Sequence, residues 1–256
     1  MRLLISVASA DEARAAIAGG AEIIDAKDPT RGAMAAVEPA TLRAIMLAAD
    51  GERPVSAALG DALSPADAER GARAAAAERV AYVKVGFAGV ADASLVERTL
   101  AATVRGVEAV SMSAGVIAVA YADAERAGAI APDRLIESAE RAGAVGVLLD
   151  TAFKEGGGLF RIMSEAAVAV WVQAARDAAL VVALAGGLGM TDLGAARAVG
   201  ADIAGVRGAA CDGGRTGRVS AERVAWLAMS AGRRSGPHRP ILAHRSDIVT
   251  SSATPR

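Results

Sequence analysis

Lysine, histidine, cysteine and aromatic residues are all scarce in this chain of 256 residues. It has two histidines, one cysteine and 3% aromatic residues, with a formal net charge of −1. A single cysteine excludes an internal disulfide. The lack of a basic excess and of stacking aromatic residues argues against a nucleic-acid partner.

Long apolar runs are missing as well. No run reaches the ~18–20 residues that a membrane span requires. The short apolar run at residues 3–7 is followed at once by Asp11 and Glu12, which indicates a strand and not a signal peptide. We therefore expect no membrane partner and a cytoplasmic location.

The few histidines also restrict the chemistry. His238 and His244 both lie near the C-terminus, and the remaining soft ligand is Cys211. A zinc site needs several such ligands, so we expect no metal and no other cofactor, although magnesium held by carboxylates stays open. A Ser-His-Asp hydrolase is excluded because the serines near strand positions have no histidine partner.

Short apolar, β-branched runs alternate with helical patterns along the chain. Eight strands are predicted at residues 3–7, 22–27, 54–59, 81–86, 116–121, 145–150, 180–185 and 202–207. Their starts lie about 20 to 35 residues apart, roughly the length of a βα unit. Between them, Ser9 with Glu12 forms a capping-box pattern, and Pro65 and Pro132 suit the first turns of helices.

This alternation predicts a single (β/α)8 TIM barrel. The alternative is a doubly wound open sheet, but no Gly-x-Gly-x-x-Gly follows the first strand. After Ala228 the chain loses its hydrophobic periodicity. We predict a catalytic barrel at residues 1–228 and a flexible C-terminal tail at residues 229–256.

The positions of the lysines point to a reactive site. Of 28 basic residues only Lys27, Lys84 and Lys154 are lysine, and each lies near the C-terminal end of an even-numbered predicted strand. Catalytic groups of TIM barrels cluster at these ends. Asp25 shares a strand face with Lys27, and Asp150 ends the sixth strand, so three amines and two acids are expected to converge.

Converging amines lower one another's pKa, which allows a lysine to form an imine with a carbonyl substrate. The aspartates would balance charge, orient an amine or relay protons. The alternative is a set of three structural ion pairs.

Glycine-rich loops after the seventh and eighth strands predict a phosphate site. TIM barrels often bind phosphate there through backbone N–H groups and a helix N-terminus. The candidates are Gly186, Gly187, Gly208 and Ala209, with Arg207 as a source of positive charge unless strand alternation points it outward. The three glycines at residues 156–158 form either a lid or a plain loop.

Six segments together resemble one enzyme family. They are Leu3-Leu4-Ile5-Ser6-Val7, Ile24-Asp25-Ala26-Lys27-Asp28-Pro29, Pro54-Val55-Ser56-Ala57, Tyr82-Val83-Lys84-Val85-Gly86, Leu149-Asp150-Thr151-Ala152-Phe153-Lys154 and Gly205-Val206-Arg207-Gly208-Ala209-Ala210-Cys211. The chain resembles the (5-formylfuran-3-yl)methyl phosphate synthase family of methanofuran biosynthesis over residues 1–228.

The resemblance implies a class I aldolase-like barrel. Such an enzyme would be a carbon–oxygen lyase that joins two molecules of glyceraldehyde 3-phosphate into 4-(hydroxymethyl)-2-furancarboxaldehyde phosphate, with loss of phosphate and water. By this resemblance Lys27 is the Schiff-base lysine and Lys84 the proton acceptor, while Lys154, Asp25 and Asp150 occupy other charged active-site positions.

The sequence departs from the family at two places. Asp28 stands where the family often has asparagine, and this charge would be expected to raise the pKa of Lys27. Gly187 stands where the family has serine, which removes a hydroxyl contact to phosphate.

Two other functions stay open: a class I aldolase acting on another phosphorylated aldehyde, and a non-catalytic barrel that binds phosphorylated metabolites. The expected partners are a small triose phosphate and further copies of this chain in a homo-oligomer.

Overall fold

The first eight strands form a closed parallel barrel. The computed structural model describes residues 1–155 and 157–232. Each strand pairs with the next, and the first closes on the eighth. They are β1 (Arg2–Val7), β2 (Ile23–Ala26), β3 (Val55–Asp61), β4 (Tyr82–Gly86), β5 (Gly115–Tyr121), β6 (Gly146–Asp150), β7 (Val181–Leu184) and β8 (Ile203–Val206). The predicted barrel is confirmed, and the open sheet is excluded.

Helices follow the strands and cover the barrel. They are α1 (Ala10–Ala18), α2 (Pro39–Ala49), α3 (Pro65–Ala77), α4 (Ala93–Glu108), α5 (Ala124–Ala127), α6 (Pro132–Ala142), α7 (Leu159–Ile162), α8 (Glu165–Asp177), α9 (Met190–Ala198) and α10 (Ala221–Ala231). Only half of the predicted capping box at α1 forms. Ser9 Oγ accepts from the Glu12 N–H at 3.3 Å, but the Glu12 carboxylate accepts from the N–H of Ala8.

Side-chain alternation on the strands divides the apolar residues into two clusters. On β2, Ile24 and Ala26 face the surrounding helices, whereas Ile23 faces the barrel interior. Tyr82 and Leu148 belong to the same interior cluster as Ile23. Apolar walls therefore lie inside the barrel beneath the charged strand ends.

A short hairpin follows β8. A 3₁₀ turn (Gly208–Ala210) leads into β9 (Cys211–Asp212), which pairs antiparallel with β10 (Arg218–Val219). Its connection is tight, because a Cβ added at Gly217 would lie 1.8 Å from the carbonyl oxygen of Asp212. The sequence did not predict this hairpin.

The predicted end of the barrel domain needs a small correction. Helix α10 continues past Ala228 to Ala231, because Leu227 and Ala231 are buried in the core between the helices and the barrel. Residues 233–256 of the predicted tail lie outside the described residues. Within the described part of the chain, no helix has the length and apolar character needed to cross a membrane.

Candidate active site

Three lysines and two aspartates line one cavity of about 400 Å³ at the C-terminal ends of the strands. Asp25 lies on β2, and Lys27 directly follows this strand. Lys84 lies in β4, Asp150 ends β6, and Lys154 lies in the loop after β6. The structure thus brings all five predicted residues together, and their catalytic roles stay predictions.

Asp25 is held by neighbours on three strands. Its Oδ2 accepts from the Ser6 hydroxyl at 2.9 Å, and its Oδ1 accepts from the Ser56 hydroxyl at 2.7 Å. Lys84 Nζ lies 2.6 Å from the same Oδ1. Burial by itself would raise the pKa of Asp25, but the charges of Lys84 and Lys27 bring it below its ordinary value. Asp25 and Lys84 therefore form a buried ion pair.

Lys154 is held by the end of β6. Its Nζ donates to Asp150 Oδ1 at 2.9 Å and to the carbonyl oxygen and hydroxyl of Thr151 at 2.5 and 3.1 Å. Burial opposes the ionisation of Asp150, but the charges of Lys154 and Lys27 outweigh this effect and lower the pKa of Asp150.

Lys27 differs from the other two lysines. It is 7% exposed, and its amine forms no hydrogen bond or close ion pair with the described residues. Burial lowers the pKa of Lys27 to about 8. The carboxylates of Asp150 and Asp25 oppose this shift, whereas the amines of Lys84 and Lys154 add to it.

The lowered pKa of Lys27 increases the fraction of its amine that is neutral near neutral pH. An ordinary lysine is neutral in roughly 0.03% of molecules at pH 7, whereas a pKa of about 8 leaves roughly 10% neutral. Only the neutral amine attacks a carbonyl carbon.

Asp28 forms its hydrogen bonds and ion pair within the turn that follows Lys27. Its Oδ1 accepts from the backbone N–H of Thr30 at 2.9 Å, and its Oδ2 pairs with Arg31 at 2.9 Å. Hydrogen bonds from Thr30 lower the pKa of Asp28. The charges that shift the pKa of Lys27 are instead those of the buried aspartates and of the other two lysines.

The loops after β7 and β8 form a glycine cradle, which we define as Gly186, Gly187, Gly208 and Ala209. All four residues line the cavity. Gly186 and Gly187 have φ of 96° and 66°, values that favour glycine. Gly189, which also lines the cavity, precedes the first turn of α9. Exposed backbone beside a helix N-terminus suits a phosphate group.

Residues 157–159, the described part of the glycine loop after Lys154, pack against this cradle. The N–H of Leu159 donates to the carbonyl oxygen of Gly186 at 2.7 Å. A Cβ added at Gly158 would lie 3.3 Å from the carbonyl oxygens of Gly186 and Gly187. Residues 157 and 158 are therefore part of the cavity wall.

The structure contradicts the predicted phosphate contact of Arg207. Its Nη1 and Nη2 bind the carboxylate of Glu12 at 2.5 and 3.1 Å. The remaining N–H groups donate to the carbonyl oxygens of Ser6, Arg215 and Gly217 at 2.9–3.0 Å. These contacts use all five N–H groups of the guanidinium. Arg207 is a structural residue that joins β1, α1 and the hairpin.

Sequence reasoning missed three polar residues of the site. Ser6 and Ser56 support Asp25, and Arg215 lines the cavity from the hairpin. The signal for Arg215 was an arginine between Gly214 and Gly217 shortly after a barrel strand. Within the described residues, no group of three or more His, Cys, Asp or Glu side chains is placed to hold a metal ion.

Comparisons with known proteins match this chain to one enzyme family. The profile of the 4-HFC-P synthase family matches residues 3–228. The (5-formylfuran-3-yl)methyl phosphate synthase of Methanopyrus kandleri is 39% identical over 85% of this chain and 92% of its own length. The enzyme of that name from Methanocaldococcus jannaschii is 38% identical over 88% of this chain and 97% of its own length.

A solved structure shows the same fold at low identity. Deoxyribose phosphate aldolase from Aeropyrum pernix superposes with a TM-score of 0.61 and 17% identity over 88% of each chain. The family match spans residues 3–228, a range that contains Lys27, Lys84 and Lys154. This chain therefore belongs to the 4-HFC-P synthase family.

Proposed function

We propose that the protein condenses two molecules of glyceraldehyde 3-phosphate into 4-(hydroxymethyl)-2-furancarboxaldehyde phosphate, with loss of phosphate and water. The relatives are named (5-formylfuran-3-yl)methyl phosphate synthases, which supports a phosphorylated furan aldehyde as the product. We class the reaction as a carbon–oxygen lyase step and assign it to methanofuran biosynthesis. The state of Lys27 carries the proposal, because this buried amine has a lowered pKa and no hydrogen-bond partner among the described residues.

Lys27 attacks the carbonyl carbon of one triose phosphate and forms an imine with loss of water. The imine nitrogen is protonated and withdraws electrons from the neighbouring carbon. The Lys84–Asp25 pair, whose Nζ and Oδ1 lie 2.6 Å apart, then accepts the proton from that carbon, and the C–H electron pair forms the enamine double bond.

The enamine adds to the aldehyde carbon of the second triose phosphate and forms a C–C bond, and water later hydrolyses the imine and releases the product from Lys27. Lys154 and Asp150 lie on the β6 side of the same cavity and assist proton transfer during addition, phosphate loss and dehydration. Apolar side chains such as Ile23, Tyr82 and Leu148 line the lower wall. They exclude water and strengthen the electrostatic effects of the charged groups.

The glycine cradle holds the phosphate that stays in the product. Gly186 lines the cavity, and a larger residue does not fit there because an added Cβ would lie 2.8 Å from Thr151 Cγ2. Backbone N–H groups bind phosphate without adding another titrating amine to the site.

The test is incubation of the purified protein with glyceraldehyde 3-phosphate. We expect release of phosphate, growth of a furan aldehyde absorbance, and covalent labelling of Lys27 when borohydride is added. Lys27→Ala should show neither labelling nor product. If Lys27→Ala is labelled as fully as the wild type, the imine assignment is wrong.

The same assay separates the other two functions. An aldolase on another phosphorylated aldehyde would form an imine but release no phosphate and produce no furan absorbance. A binding barrel would bind triose phosphate equally well after Lys27→Ala and would turn over no aldehyde.

A further inference from the structure

Five cationic side chains line the described cavity, and they differ in how many of their N–H groups form hydrogen bonds or ion pairs within the protein. Lys84 and Lys154 pair with aspartates, and Arg207 has donated every N–H group. Lys27 has the free amine that the imine needs. Arg215 remains as the cation with spare donors outside the amine cluster.

We propose that Arg215 forms a second anion subsite, between the loops after β8 and β2, that binds the phosphate group of the second triose phosphate. This inference rests on the proposed function, which requires two phosphates in one cavity while the glycine cradle accounts for one.

The hairpin fixes the backbone of Arg215. The carbonyl oxygen of Arg215 accepts from Arg207 Nε at 3.0 Å, and that of Gly217 accepts from Arg207 Nη2 at 2.9 Å. Arg207 is itself anchored by Glu12. Arg215 is thus itself one of two anchored residues at the hairpin tip, and little backbone entropy remains to be lost on binding.

The side chain of Arg215 reaches across β1 to the loop that follows Lys27. Its Nη1 donates to the carbonyl oxygen of Pro29 at 2.6 Å, and its Nη2 donates to that of Gly32 at 2.8 Å. These two contacts leave three of the five N–H groups for a ligand. The planar guanidinium can pair two N–H groups with two oxygens of a phosphate group, and Arg215 lines the cavity.

No carboxylate of the described residues lies within 4 Å of the Arg215 guanidinium, so its charge is not neutralised by a direct ion pair. Arg207 differs in this respect, because Glu12 neutralises it. An unpaired, partly buried guanidinium at the wall of a cavity attracts an anion.

The Arg215 guanidinium contacts a loop that is not part of the glycine cradle. The backbone of Arg215 packs beside the cradle, since a Cβ added at Gly208 would lie 3.7 Å from its nitrogen atom. Its guanidinium, however, contacts the β2 loop at Pro29 and Gly32. Around the barrel, β1 separates β8 from β2. The cradle lies in the loops after β7 and β8, whereas the guanidinium reaches the loop after β2.

The experiment uses imine trapping together with turnover. Trapping requires only the first triose phosphate, whereas turnover requires both. Arg215→Gln should leave borohydride labelling by glyceraldehyde 3-phosphate within about twofold of the wild type. It should raise the substrate concentration for half-maximal phosphate release on the order of 10- to 100-fold. This is the loss of affinity expected when charge-assisted hydrogen bonds are removed.

Two further variants make the result specific. Arg215→Lys keeps the charge but loses the paired N–H donors of the guanidinium, so it should raise the substrate concentration for half-maximal phosphate release less than Arg215→Gln. It also provides a second variant in case the glutamine variant misfolds. Arg218→Gln removes the same charge from an exposed position of the same hairpin, and should leave both assays unchanged.

The inference is overturned if both Arg215→Gln and Arg215→Lys keep the wild-type substrate concentration for half-maximal phosphate release. It is also overturned if both variants reduce trapping as much as turnover, because Arg215 would then bind the phosphate of the first triose phosphate. A wild-type protein that is not trapped and releases no phosphate would instead overturn the proposed function itself.

Discussion

The amine side of the cavity, built by β2, β4 and β6, and the glycine side, built by β7 and β8, each contain a buried cation at a strand end. On the amine side, Lys27 has no hydrogen-bond partner among the described residues. On the glycine side, Arg207 donates all of its N–H groups to Glu12 and three carbonyl oxygens.

Burial is similar, at 7% exposure for Lys27 and 8% for Arg207, so burial does not separate the two roles. The two residues differ instead in the number of their N–H groups that form hydrogen bonds with the described residues. A desolvated lysine can lose its proton and become a nucleophile, whereas a guanidinium stays charged and needs acceptors around it. Four changes would test this contrast.

The largest effect is expected from the ion pair beside Lys27. Lys84→Met combined with Asp25→Asn removes the proton-transfer group without leaving a buried unpaired carboxylate. Product formation should fall about 10²- to 10⁴-fold, while borohydride labelling of Lys27 persists. Ser56→Ala, which removes one hydrogen bond to Asp25, should lower product formation less. Complete loss of labelling in the double variant would contradict a separate role for Lys84.

The glycine side should respond in stability. Glu12→Gln removes the carboxylate charge that neutralises buried Arg207, and loss of one partner of a buried pair costs about 3–5 kcal/mol. Urea unfolding measures this loss. Arg14→Gln breaks an exposed pair with Asp11 on the same helix and should change the free energy of unfolding by no more than about 0.5 kcal/mol. Equal effects of the two variants would show that Arg207 is not a structural anchor.

Replacement of Lys27 should stabilise the protein. Below pH 8 the folded protein buries a charged amine, and a pKa lowered from 10.5 to about 8 corresponds to about 3 kcal/mol. Lys27→Met should therefore raise the free energy of unfolding by about this amount at pH 7.

The sign of the pH dependence follows from the same pKa. Between pH 8 and 10.5 the unfolded chain binds the proton that the folded chain has lost, so the wild type gains stability with rising pH. The advantage of Lys27→Met should disappear over this range in urea unfolding. A pH-independent difference would show that the effect arises from packing and not from charge.

The smallest effect is expected within the cradle. Gly187→Ser introduces the side chain that the family resemblance places there, at a φ of 66° and with its Cβ 3.2 Å from the Cα of Gly158. The left-handed conformation should cost about 1–2 kcal/mol in thermal or urea unfolding. Gly189→Ser, at a negative φ and with its Cβ at an ordinary contact distance of 3.6 Å from Asp192 Oδ2, is the matched control and should cost less.

Local pattern was sufficient for the barrel. Apolar β-branched runs and helix-start signals such as Ser64-Pro65 depend on neighbours in the chain, so the eight strands and the first turn of α3 were predictable. The hairpin after β8 was not predicted, because its strands have two residues each and show no periodicity.

The sequence by itself determined the barrel and the meeting of Lys27, Lys84 and Lys154, because parallel strands of a closed barrel present all their C-terminal ends at one face. Only the tertiary structure decided which cations keep free donors. Arg207 meets Glu12 across 195 residues, and Arg215 meets Pro29 across 186. Such pairings depend on the distances between loops after folding, and no local pattern encodes them.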